Sequence, residues 1–167
     1  MNDGLLDAFG HNAWATRELL LLCQGLTEAQ LQTSAPGTYG SIIATLRHTV
    51  SSEAGYCERL TGEDLPWDRR SESPSLAEVA QRHDDLAARW GRFLADPFDA
   101  ERTFVVECHD GTDYDVPAGV YLAQALHHGN EHRAQICTVL SSIGVTAPAL
   151  GLWDYAEATE RAKRRAP

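Results

Sequence analysis

His128 and His132 stand four residues apart in the stretch from Leu126 to Cys137, LHHGNEHRAQIC, which reads as part of one long helix. At 3.6 residues per turn their imidazoles leave the same face one turn apart and can converge on one ion. Such a pair needs a third ligand from another element. His48, in the helical stretch IIATLRHTV from Ile42 to Val50, is the best candidate. The expected site is a divalent metal held between helices by His48, His128 and His132. Imidazoles at i and i+4 are a recurring ligand pair for Zn2+ and similar ions. Three neutral ligands leave the ion's charge unneutralised and its other positions open, which is the arrangement of a Lewis-acid centre.

The remaining chemistry is thin. Glu131 does not follow the first histidine directly, so this is not the H-E-x-x-H metalloprotease pattern. It reads as a surface carboxylate, or as a support for the ligands. His127 is rotated by about 100° from His128 and cannot join the same ion without distortion. His11 and His83 read as structural, and His109, beside a turn, as a solvated loop residue. There is no G-x-S-x-G, no cysteine in a catalytic context, and no G-x-G-x-x-G or Walker pattern, which argues against nucleophilic serine or cysteine chemistry and against nucleotide cofactors.

The elements that must position these residues follow from apolar spacing. Residues 4–25 read as a first helix with Gly25 as its stop, and Thr27 with Gln30 as a capping box. Ser34 to Gly40 is a loop by composition. Ser41 caps a second helix that runs to about Leu60 and ends at Thr61-Gly62. On it Ser52 and Tyr56 share the stripe of His48, with Glu53 beside them. After a polar loop over 62–74, a third helix runs from about Leu76 to Leu94. Residues 103–107 and 114–116, joined through Asp110-Gly111, read as a short β-hairpin. Pro117 is expected at the first position of a fourth helix, from Ala118 to about Ile143, closed by Gly144. A last helix is expected over about 150–164. The predicted fold is all-α: a four-helix bundle with a hairpin insertion and an extra C-terminal helix, as one domain over residues 1–167. Bundles of this kind build metal sites from side chains on facing helices.

Composition narrows the partners. A net charge of −10 with no basic stripe argues against nucleic acid and anionic membranes. The one basic cluster, residues 161–165, reads as the complement of a helix C-terminus. No stretch reaches the roughly 20 apolar residues that span a bilayer, and no signal peptide is read at the start. Cys23, Cys57, Cys108 and Cys137 are dispersed and read as reduced thiols of a cytoplasmic protein, with Cys57 or Cys137 left open as neighbours of the site. An apolar face of the first or fourth helix leaves a homodimer open.

With these residues in place, the chain resembles the DinB-like (DNA-damage-inducible) family of metal-binding four-helix bundles over nearly its whole length. The resemblance rests on Asn12-Ala13-Trp14-Ala15, on Ser41-Ile42 through Leu46-Arg47-His48 with Glu53, and most on His128 through His132-Arg133-Ala134-Gln135, which is similar to the family's H-x-x-x-H-R-G-Q. The ending from Leu140 to Trp153-Asp154-Tyr155 is similar as well. Ala134 replaces the usual Gly, and His127 stands where Asn is common.

The resemblance implies His48, His128 and His132 as ligands of a divalent metal, Zn or Ni first, with Fe or Mn as alternatives. It leaves the reaction open, as it does any role for His127, Glu131 or Glu53 in supporting the ligands. One expectation is an enzyme whose metal activates a low-molecular-weight thiol or water toward a small-molecule substrate, as a thiol-dependent transferase or a hydrolase. Trp14, Ser52, Tyr56 and Gln135 are then the candidates for lining its pocket, and Arg133 either holds an anionic substrate or pairs with carboxylates near Glu131. The alternatives are a non-catalytic metal-binding stress-response or interaction bundle, and a plain helical bundle without metal.

Overall fold

The computed structural model describes residues 3–69, 73–107, 110–163 and 165. Its elements are α1 (Asp3–Cys23), α2 (Glu28–Leu31), α3 (Ile42–Thr61), α4 (Leu76–Ala95), β1 (Thr103–Glu107), β2 (Asp113–Pro117), α5 (Ala118–Ser142) and α6 (Leu152–Ala158). The four long helices close a ring in which α1 packs on α4, α4 on α3, α3 on α5 and α5 back on α1. This is the expected four-helix bundle with its hairpin and its added C-terminal helix.

Each long helix buries one stripe. On α4 the buried residues are Val79, His83, Leu86, Trp90 and Leu94, spaced by three or four. Leu46 of α3, Leu86 of α4 and Leu140 of α5 are almost wholly enclosed. Truncating any one to alanine should cost about 2–5 kcal/mol. None of the described helices is long and apolar enough to cross a membrane.

The caps follow the sequence closely. Thr27 and Gln30 form the capping box of α2, Ser41 accepts the Ala44 N–H at the start of α3, and Ser75 forms a box with Glu78 on α4. Gly62 closes α3 in the left-handed region at φ 70°, which lets its N–H reach back to the Glu58 carbonyl. Gly25, by contrast, is not among the left-handed glycines; α1 ends two residues before it, at Cys23.

The hairpin pairs Thr103 with Pro117 through to Glu107 with Asp113, antiparallel. Gly111 turns it at φ 80°. The expected solvated His109 lies outside the described residues. Pro117 departs from expectation, standing at the N-cap of α5 and not at its first helical position. The cause is the sheet: pairing with Thr103 keeps Pro117 extended at ψ 147°, so the helix starts one residue later. The first amides of α5 are not orphaned, because Ala118 N–H donates to the Arg102 carbonyl and Gly119 N–H to that of Ala100.

α6 is half the expected length. It stops at Ala158, and Glu160 turns into the left-handed region at φ 58° just beyond. Arg161, expected to complement a helix C-terminus, instead forks onto the Asp7 carboxylate of α1 at 2.9 and 2.7 Å.

Candidate metal centre

α3 and α5 lie side by side, and that contact brings the three histidines together. His128 Nε2 is 3.1 Å from His48 Nε2 and 3.2 Å from His132 Nε2. One ring nitrogen of each residue lies within 4.8 Å of the others, and the described residues contain no other such group of histidine, cysteine or carboxylate side chains. His132 is buried; His48 and His128 are half-buried. Nitrogens bound to one ion at about 2.0–2.1 Å stand about 3.0–3.4 Å apart at ordinary coordination angles, so the two short separations fit a shared cation.

The outer faces of these rings are held. Gln135 Oε1 accepts the backbone N–H of Tyr39 at 3.0 Å and lies 3.1 Å from His132 Nδ1. A backbone N–H can only donate, so the atom between them is the amide oxygen. An oxygen can only accept from the ring, so His132 carries its proton on Nδ1 and turns the lone pair of Nε2 toward His128. Tyr39 stacks on His48 with ring centres 4.0 Å apart and meets His132 edge-on at 5.4 Å. Tyr56 meets His128 edge-on at 5.9 Å.

Burial lowers the basicity of His128 to a pKa of about 4, with the neighbouring His132 and His48 adding to the effect. His48 is lowered too, by burial first and His132 second. Neutral imidazole is the form that ligates metal.

The side chains expected to line the pocket divide. Tyr56 and Gln135 touch the histidines. Ser52, half-buried one turn beyond His48, makes no hydrogen bond to them. Trp14 is elsewhere: its ring lies against His11 and Tyr155, joining α1 to α6. His11 Nε2 meets the Leu150 carbonyl at 2.8 Å, and His83 Nε2 that of Ala13 at 2.9 Å, so each ring joins two segments of the fold. His127 and Glu131 are exposed.

Arg133 does not pair with carboxylates near Glu131, one of its two expected roles. It is 4% exposed and donates to Asn12 Oδ1 at 2.6 Å and Thr16 Oγ1 at 3.1 Å. Burial pulls its pKa down to about 10 against the opposing pull of Glu53, so it stays charged at neutral pH. Asn12 in turn reaches Glu53 Oε2 at 3.4 Å, and Trp90 Nε1–H donates to Glu53 Oε1 at 2.9 Å. This buried chain ties all four long helices. It grips α5 one residue from His132 and α3 five residues from His48, so it fixes how the two histidine-bearing helices are rotated toward each other.

The sequence reading missed Asn12, Thr16 and Trp90 as parts of this chain. The available signal was the pair Asn12 and Thr16, polar residues one turn apart on the stripe that carries Phe9, Leu19, Leu20 and Cys23.

The sequence pattern of the DinB family matches residues 1–165. A solved DinB-like protein from Bacillus cereus ATCC 10987 superposes with a TM-score of 0.66 at 20% identity, over 89% of this chain and 96% of its own. At that identity the likeness is one of fold. A comparison with curated proteins finds no match.

Proposed function

This chain belongs to the DinB family, and we propose that it binds one divalent metal through His48, His128 and His132 as a metal-dependent enzyme acting on a small-molecule substrate. The observation that carries the reading is the cluster itself: imidazole nitrogens from two helices at 3.1 and 3.2 Å, with no carboxylate or thiol in the group. Lone pairs held that close repel unless a proton or a cation lies between them. With His132 Nε2 left unprotonated by Gln135, His128 Nε2 can carry one proton toward only one of its two neighbours, whereas a cation satisfies both short separations.

Zn or Ni suits a set of neutral imidazoles; carboxylate-poor sites suit Mn less well. When bound, such an ion with open positions supplies Lewis acidity, lowering the pKa of a bound thiol or water. The chain's own part is to hold His48 and His128 neutral, to orient the rings through Gln135 and Tyr39, and to limit solvent around them by burial. A low-molecular-weight thiol is the co-substrate this reading favours.

Two experiments test it. Cobalt-substituted protein should change its visible spectrum on adding azide or imidazole, because positions on the ion are exchangeable. Metal-loaded protein should conjugate an electrophile such as 1-chloro-2,4-dinitrobenzene with at least one of a panel of cellular thiols, and His128→Ala should not. A spectrum indifferent to azide together with no turnover across the panel would overturn the enzymatic reading in favour of a closed, non-catalytic site.

A further inference from the structure

A cavity of about 440 Å³ opens between α3, α4 and the segment joining them, and Tyr39 and His48 form part of its wall. Its size is that of a small-molecule site. Arg47, Arg69 and Arg82 also line it, and no carboxylate is among its described lining residues. In a chain of net charge −10, the charged side chains on this described lining, His48 aside, are all cationic.

The three guanidiniums are placed differently. Arg69 pairs with Glu58 at 3.0 Å. Arg82 lies over the Trp67 ring at 4.8 Å and donates to the Asp68 carbonyl. Arg47 is held by neutral groups, donating from Nε to the Pro74 carbonyl at 2.8 Å and from Nη2 to that of Ser73 at 3.5 Å. These bonds orient it without offsetting its charge. Val50, Val79 and Pro74 give the cavity apolar wall, and Trp67 adds a ring. Guanidinium forks match carboxylate and phosphate oxygens, and an apolar wall beside them takes the body that carries such a group.

We propose that this cavity binds a small organic anion, a carboxylate or phosphate on an apolar or aromatic body, anchored by Arg47 and Arg82 and bordering His48. That the anion is then the substrate of the metal centre rests on the function proposed above; its binding does not.

Trp67 supplies the readout. Its Nε1 is shielded from solvent and has no acceptor among the described residues, so its indole resonance reports on what enters beside it. The four tryptophan Nε1–H signals of 15N-labelled protein can be followed, with Trp67 assigned by Trp67→Phe. The titrants are benzoate, phenyl phosphate, inorganic phosphate and neutral benzamide, against protein as purified and after chelation. Benzoate or phenyl phosphate should shift the Trp67 signal saturably, the stronger of the two showing which anion the site takes. Benzamide should bind at least tenfold more weakly. Arg47→Gln and Arg82→Gln should each weaken the anion about tenfold or more, with the other indole signals showing that the fold persists. Arg161→Gln, remote at Asp7, should change nothing.

No saturable shift, equal binding of benzamide, or full affinity in both arginine variants would overturn the proposal. Inorganic phosphate binding as tightly as phenyl phosphate would overturn its apolar half. Anion binding by protein that takes up no metal even after reloading leaves the cavity standing and removes the metal reading; stoichiometric metal without anion binding does the reverse.

Discussion

The side-chain oxygen of Gln135 lies 3.1 Å from Nδ1 of His132, and the same oxygen takes the N–H of Tyr39. One amide thus sets a ring's tautomer and ties helix α5 to the loop whose tyrosine covers His48. In the proposed centre, a residue three positions beyond His132 would do the orienting that carboxylates and carbonyls do at metal sites.

Gln135→Leu should therefore lower metal affinity about 10–100-fold while leaving helix content unchanged. Gln135→Glu keeps an acceptor for both donors and should retain most of the affinity. Competition against a chelator of known strength measures both. Equal affinity in the Leu variant and the parent would show that Gln135 does not orient His132.

Asn12 is the joint between a buried cation and a buried carboxylate. Asn12→Ala leaves Arg133 without its shortest bond in an apolar setting, and should destabilise the fold by about 2–4 kcal/mol in urea unfolding. Gly129 makes room for that joint: a β-carbon there would stand 2.6 Å from Asn12 Oδ1 and 2.9 Å from Arg133 Nη1. Gly129→Ala should destabilise as well, and its cost should shrink in the Asn12→Ala background, because one of the two clashes is gone. Strict additivity would place the two residues in separate environments.

The thiols of Cys23 and Cys57 are both pushed up to about 12, in each case by burial before any neighbouring charge. They stay protonated in the folded protein where the unfolded chain has already lost those protons. Their contribution to stability is complete below the unfolded value of about 8.5–9 and is lost as pH rises toward 12. The urea midpoint should fall between pH 8 and pH 10.5, and fall less in Cys57→Ala. An equal fall in parent and variant would contradict this. At pH 8 neither thiol should react with Ellman's reagent until the protein unfolds.

The histidine cluster was legible because its signal is local: His128 and His132 share a helical face by spacing alone, and His48 sits on the stripe of a capped helix. The bundle was legible for the same reason, through Ser41, Gly62 and the apolar periodicity of each long helix. What the sequence did not disclose depends on distant partners. Arg133 meets Asn12 across 121 positions, and nothing near either residue announces the other. Arg161 was read as serving its own helix end, because Asp7 lies 154 positions away. Pro117 was displaced by strand pairing, a constraint set by Thr103 and not by the helix that follows.

Metal content per chain tests the central claim most directly. Untagged protein and His48→Ala should be compared by plasma mass spectrometry, as purified and after reloading with Zn2+ or Ni2+. The account predicts close to one metal per chain in the parent and a large loss in the variant. Metal absent from both after reloading, or bound equally by both, would contradict a centre built from His48, His128 and His132.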